Sequence, residues 1–320
     1  MSRSLLLALA LVAAQPPVAT AQPLQLPPAL DAYVAQVMKS FEVPGLALAV
    51  VKDGKVLLAK GYGVRKMGDP APVDGKTQFG IASNTKVFTA TALALLVEEG
   101  KLAWDAPVIR YLPGFAMYDP YVTRELTIRD LLVHRSGLGL GAGDLLWWPP
   151  SSYDRKEVAY RLRFIKPATS FRSAYAYDNV LYSVAGEVIE AVSGKSWEDF
   201  VTERLLRPVG MTDATVHHSD AGDPNADQAA THAVVDGRMQ PIEPFLSDNT
   251  NPAGGINASA EDMAHWLLAQ LDSGMVNGQR LWKPGTTRAQ WSLVTPINPG
   301  RAPAQLAPLS TSFNGYGLGF

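Results

Sequence analysis

Ser83-Asn84-Thr85-Lys86 sets a hydroxyl and an amine three positions apart at the head of an apolar run. That spacing puts both side chains on one face of a helix, within reach of each other. A serine hydroxyl is a poor nucleophile until a base takes its proton. A lysine whose ammonium is destabilised by burial or a nearby cation can be that base. The positive potential at a helix amino terminus favours an alkoxide and a developing oxyanion. The chemistry such a pair supports is acyl transfer through a covalent serine intermediate. The bland alternative is a serine cap beside a solvated lysine, so the weight of this S-x-x-K, the only one in the chain, depends on its partners.

Tyr177-Asp178-Asn179 supplies candidate partners. It stands just ahead of a helical pattern, and a tyrosine two residues before an asparagine can bring a phenol and an amide to one cleft. Tyrosine ionises near ~10. A cationic neighbour such as Lys86 is expected to lower that value and make the phenol a proton acceptor. Asn179 either holds a substrate carbonyl or orients Lys86. Taken alone, the segment also reads as a buried tyrosine and a helix-capping asparagine, and Tyr175 is a rival for the tyrosine role. Trp147, in Trp147-Trp148-Pro149-Pro150, is a candidate for the mouth of a pocket, with loop packing the alternative. Gly254-Gly255 either lets the backbone approach a substrate or forms a turn.

The elements that must position these groups show in the apolar periodicity. Leu30, Tyr33, Val34, Val37, Met38 and Phe41 recur at helical spacing. Leu46 to Lys52 and Lys55 to Gly61 are β-prone runs joined by Asp53-Gly54, a two-residue hairpin turn. Ser83 to Glu99 is apolar on most sides, hence a buried helix ended by Gly100 and expected to pack under a sheet. Val180 to Ser193 predicts another helix. Thr127 with Asp130, Ser196 with Asp199 and Ser259 with Asp262 have capping-box spacing. Asp236-Gly237 suggests a second hairpin, and Tyr316 to Phe320 reads as the start of a strand. A lone hairpin is not a stable sheet, so further strands are required.

The 320 residues are ample for a sizeable core. With 28 basic and 30 acidic residues and a net charge of −2, nothing in the composition suits a phosphate backbone, and no nucleic-acid partner is expected. There is no cysteine, which excludes thiolate zinc sites. The five histidines lack H-E-x-x-H spacing, so His217-His218 reads as surface loop, and neither metal nor cofactor is expected. Arg3, the apolar stretch Leu5 to Ala14 and Ala19-Thr20-Ala21 have the layout of a secretory signal peptide over residues 1–21. The expected location is periplasmic or secreted, with no membrane span after cleavage.

Together these pieces resemble the serine β-lactamase and penicillin-binding-protein superfamily, among whose catalytic motifs is S-x-x-K. The pattern is most similar to class C β-lactamases, D-stereospecific peptidases and family VIII carboxylesterases. Supporting segments are Gly45 to Val51, Leu131 to Leu138, Leu206 to Met211, Pro252-Ala253-Gly254-Gly255 and Tyr316-Gly317-Leu318-Gly319, so the likeness runs from about residue 28 to the end. It implies an α/β chain of the α+β type, an antiparallel sheet flanked by helices in residues 22–320, with a large, mostly helical subdomain at about 101–245. It implies Ser83 as nucleophile, Lys86 and Tyr177 sharing proton transfer, and Asn179, Gly254, Gly255 and Trp147 toward a small-molecule or peptide substrate.

Two departures matter. Asp178 stands where the family often has serine, and either alters polarity near the phenol or points away. The family's third motif, K-T-G or H-x-G on a late strand, follows the Tyr-Gly-Leu-Gly segment. No such motif follows that segment before Phe320, which places the carboxy-terminal strands beyond this chain. Lys283-Pro284-Gly285 comes too early, and its proline does not suit a central strand. The expected activity is hydrolysis of an ester, amide or β-lactam carbonyl, with a non-catalytic relative that binds cell-wall peptide or a partner protein as the alternative.

Overall fold

The computed structural model describes residues 25–223, 226–300, 303, 307–308 and 310–320. The leader read as a signal peptide lies outside the described residues. The fold is mixed α/β, an open antiparallel sheet flanked by helices. An amphipathic helix, Leu30–Ser40, leads into the hairpin Gly45–Lys52 and Lys55–Gly63. The register runs from Gly45↔Gly63 to Lys52↔Lys55, with a bulge at Val50/Val51. Asp53 and Gly54 take φ +52° and +71°, the left-handed pair that a two-residue turn needs. The first helix is tied to the hairpin by Asp31, which accepts from Lys60 Nζ and Tyr62 OH, both at 2.8 Å.

The helix Thr85–Glu98 runs through the core, with twelve consecutive residues buried from Thr85 to Leu96. It is buried among helices and not under the hairpin. Its neighbours are Val180–Ser193, Trp197–Val201 and the short turn Asn251–Gly254, while Ala260–Leu271 is the helix that packs on the hairpin. The all-round apolar surface was read correctly but says only that something surrounds the helix, not what. Its threonines are all bonded, as buried hydroxyls must be. Thr89 Oγ1 donates to the Pro252 carbonyl at 2.7 Å and accepts from Trp197 Nε1 at 2.9 Å. Thr91 Oγ1 donates to the Val87 carbonyl at 2.7 Å.

The aromatic part of the core joins this helix to the Ala260–Leu271 helix. Phe88 is fully buried and stacks on Trp266, with centroids 4.0 Å apart. Phe88→Ala is expected to cost about 3–5 kcal/mol, read from the midpoint of urea unfolding. A loss under 1 kcal/mol would mean that this stack is not part of the stabilising core.

The middle of the chain is helical and loop-rich, as expected. It includes a hairpin at His232–Val235 and Arg238–Pro241, turned by Asp236 and Gly237 at φ +52° and +76°. Thr127 and Asp130 bond reciprocally, but what they cap is one 3-10 turn, Arg129–Leu131. Ser259 and Asp262 form a full capping box. Near the end of the chain the strand is Asn314–Tyr316, paired with Thr295–Ile297, and not Tyr316 to Phe320. Beyond Tyr316 the chain turns at Gly319, φ +85°, where a Cβ would lie 3.0 Å from the Lys86 carbonyl oxygen and from Val87 Cα. Close approach to the central helix replaces strand pairing there. Among the described residues, no helix is long and apolar enough to cross a membrane.

Candidate active site

Ser83 lies on a 3-10 turn, Ala82–Asn84, that runs directly into the α-helix beginning at Thr85. In a 3-10 turn the side chains at i and i+3 nearly eclipse, so the spacing of three works even though Ser83 precedes the α-helix. Lys86 Nζ donates to Ser83 Oγ at 3.0 Å. Ala82 takes φ +46°, a conformation costly for a residue with a Cβ. The segment before it is held by Phe79–Gly80 pairing with Asn257–Ala258 and by Ile81 N–H donating to the Ile256 carbonyl at 2.9 Å. Ser83 is exposed, so an opening exists above the hydroxyl.

Lys86 has 1% of its surface exposed, and its Nζ has three acceptors: Ser83 Oγ at 3.0 Å, Asn179 Oδ1 at 2.9 Å and the Ala253 carbonyl at 3.0 Å. The rings of Tyr177 and Tyr182 lie 5.1 and 5.2 Å from it. Burial pushes the ammonium down to about 8, against the opposing pull of Asp178 and Asp144.

Tyr177, not Tyr175, reaches the serine, with its OH 2.6 Å from Ser83 Oγ. Tyr175 packs against His134 and Tyr316 instead. The Tyr177 phenol is pushed up, not down. Half-burial raises it, the Ser83 hydrogen bond lowers it, and the negative charges of Asp178 and Asp144 raise it again. The expectation that a cation would acidify this phenol is therefore corrected, because burial and two carboxylates outweigh one shielded lysine.

Asp178 points away from Ser83. Its Oδ1 accepts from Leu181 N–H at 3.1 Å, capping the helix Val180–Ser193, and its Oδ2 accepts from Ser136 Oγ at 3.3 Å. That leaves Asn179 free of capping duty and turned to Lys86. His134 packs behind Tyr177. It is buried among the rings of Tyr175, Tyr177, Tyr182 and Tyr316, and its Nδ1 accepts from Asp178 N–H at 3.3 Å.

A cavity of about 450 Å³ adjoins the Ser83 turn and is lined by Ala82, Gly254, Phe79, Phe245, His218 and Arg65 among others. Arg65 is paired with Asp227 at 2.9 Å. Gly254 faces this cavity, and a Cβ there would lie 3.3 Å from His218 Cε1. Gly255 does not face it. It is buried, and a Cβ would come 2.6 Å from Asn251 Oδ1, so its glycine answers to the turn. Trp147 reaches the cavity only indirectly, its ring set edge-on against Phe245 at 5.4 Å. Phe245 in turn lies against His218 at 4.7 Å. His218 is thus half-buried at the cleft wall, not on a surface loop, and burial pushes its imidazole down to about 4.

Three participants escaped the sequence reading: the Ala253 carbonyl, Asp144 and His218. The first two meet Lys86 and Asn179 from distant segments. The one trace of Ala253 in the sequence is its place in the Pro252 to Gly255 segment.

Residues 30–319 match the Beta-lactamase family. The chain belongs to that family. It is 26% identical over 255 residues to Protein flp of Staphylococcus aureus (strain MW2), covering 76% of this chain and 48% of the relative. It is 30% identical over 250 residues to the unguisins hydrolase ungD' of Aspergillus campestris, covering 74% of this chain and 46% of the relative. The chain spans about half the length of the curated relatives it matches. Among solved structures, the octameric penicillin-binding protein homologue from Pyrococcus abyssi superposes with a TM-score of 0.67 at 25% identity, over 91% of this chain and 63% of that one.

Proposed function

We propose that this protein is a serine hydrolase that cleaves an ester, amide or β-lactam carbonyl through an acyl-enzyme on Ser83, with esterase or D-peptidase-like activity favoured over a dedicated β-lactamase. The observation that carries the proposal is the set of acceptors around Lys86. A neutral amine has two N–H donors and one lone pair. Asn179 Oδ1 and the Ala253 carbonyl can only accept, so they take the two N–H groups and leave the lone pair facing Ser83 Oγ, 3.0 Å away.

In acylation, Ser83 Oγ attacks the carbonyl carbon as its proton passes to Lys86, and the carbonyl π-bond collapses onto oxygen. The Ser83 N–H at the helix start is half of the site for that oxyanion, as the family resemblance implies. Collapse of the intermediate breaks the bond to the leaving group, which takes a proton from the neutral Tyr177 phenol. In deacylation water attacks the ester carbon and gives its proton to the Tyr177 phenolate, and Ser83 Oγ departs with the proton that Lys86 took up during acylation. Asn179 serves Lys86, and Gly254 serves the substrate by keeping the cleft floor open. Trp147 acts only as backing for Phe245. A curated relative named for hydrolysing unguisins fits hydrolytic use of the scaffold. Export to the periplasm or medium belongs to the same proposal and rests on the leader sequence alone.

The pH profile tests it. With Lys86 near about 8, roughly a tenth of it is free amine at pH 7. Hydrolysis of a p-nitrophenyl ester by the full-length protein should rise through about pH 8 and level off above it, and it should vanish in Ser83→Ala. A flat profile would remove Lys86 as the base. Saturable binding of esters or cell-wall peptides with no Ser83-dependent turnover would favour the non-catalytic alternative.

A further inference from the structure

His134 is buried and takes φ +52°, in the left-handed region that is costly for a residue with a Cβ. The residues before it are pinned. The Leu132 carbonyl accepts from Tyr182 OH at 2.7 Å, and the Val133 carbonyl accepts from Thr295 Oγ1 at 2.8 Å. From that anchor His134 reaches the catalytic segment on both sides of Tyr177. Its carbonyl accepts from Ala176 N–H at 2.7 Å, and its Nδ1 accepts from Asp178 N–H at 3.3 Å. Its ring faces the Tyr177 ring, with centroids 4.3 Å apart and planes at 36°.

The N–H groups of both residues that flank Tyr177 thus end on one side chain and its own carbonyl. We propose that His134 is a positioning residue that clamps the backbone around Tyr177 and so holds the phenol 2.6 Å from Ser83 Oγ. The inference rests on the Ser83 and Tyr177 roles given above. Tyr177 has to face the same point twice, once to give its proton to the leaving group and once to take one from water. A phenol free to shift with its backbone would be in place for only part of the time. The left-handed φ of His134 brings its carbonyl and its imidazole to the same three-residue segment.

His134 does this without moving a proton. Its Nδ1 is taken by a backbone N–H, so in the neutral ring the hydrogen sits on Nε2. Nε2 is buried and has no hydrogen-bond partner among the described residues. Asp178 Oδ2 lies 3.9 Å from Nδ1, too far for a hydrogen bond. The other rings around the imidazole belong to Tyr175, Tyr182 and Tyr316. The Tyr177 hydroxyl is bonded to Ser83 Oγ and to neither imidazole nitrogen. What His134 supplies is therefore place, not acidity.

The test compares His134→Phe with His134→Asn in the full-length protein, on phenyl butyrate and p-nitrophenyl butyrate. Phenylalanine keeps a ring behind Tyr177 and removes the acceptor at Nδ1. Asparagine tolerates positive φ and sets Oδ1 near the place of Nδ1. His134→Phe should lower kcat/KM for phenyl butyrate about 10–100-fold, the scale of a misplaced reacting group. The loss should fall on kcat and leave KM unchanged. p-Nitrophenyl butyrate, whose leaving group needs no proton, should lose less. His134→Asn should recover most of the loss, and in a Tyr177→Phe background His134→Phe should cost nothing more. If His134→Phe does not fold, His134→Gln takes its place, because its oxygen reaches the position of Nε2 and not of Nδ1, and the same losses are expected. No loss, equal losses on the two esters, no recovery in His134→Asn, or the same loss in the Tyr177→Phe background overturns the proposal. Absence of Ser83-dependent hydrolysis of either ester in the wild type would instead sink the serine-hydrolase reading, so the two failures can be told apart.

Discussion

Lys86→Ala should slow acylation of Ser83 by about 10²–10⁴-fold, the range of a positioned general base. The variant removes the amine that holds a lone pair against Ser83 Oγ while its two N–H donors are occupied by Asn179 Oδ1 and the Ala253 carbonyl. The rate constant for labelling by a fluorophosphonate reads this step directly, without later deacylation. Lys86→Met, which keeps the stem buried and removes the amine, should fall as far while melting like the wild type. Near-normal labelling by either folded variant would contradict the role given to Lys86.

Tyr177→Phe comes next, with an expected loss of about 10²-fold in kcat. The phenol that bonds Ser83 Oγ at 2.6 Å is the proton source for the leaving group. Because burial and the carboxylates Asp178 and Asp144 hold this phenol neutral, the rising limb near about pH 8 belongs to Lys86 and should survive the substitution. Esters with a good leaving group, such as p-nitrophenol, should lose least, since they need no protonation to depart. Disappearance of the limb would make Tyr177 the base and reverse the two assignments.

What the sequence disclosed follows from how local each signal is. Asp53-Gly54 and Asp236-Gly237 announced their turns because positive φ is a property of the residues themselves. Ser259 and Asp262 announced a helix start because both partners lie within one turn. Ser83 and Lys86 met because three positions bring side chains together in a 3-10 turn and in an α-helix alike. The family likeness supplied Tyr177 and Asn179, which no local rule connects to Ser83.

The rest was set by long-range packing. Lys86 and the Ala253 carbonyl are 167 positions apart, and a backbone acceptor carries no side-chain signature. Asp144 lay in a glycine-rich stretch with nothing to mark which segment it would face. The acidity of Tyr177 was misjudged for a related reason. Its sign depends on how deeply the ring is buried and on where Asp178 and Asp144 end up, and both are tertiary facts. Gly255 looked like its neighbour Gly254 in sequence, yet the tight turn at Asn251 put one against the cleft and the other behind it.

The most direct measurement is intact-mass and peptide-level mass spectrometry of full-length protein after treatment with a fluorophosphonate. One adduct per chain is expected, on the peptide carrying Ser83, and none in Ser83→Ala. An adduct on another residue, or one that persists in Ser83→Ala, would contradict the role of Ser83.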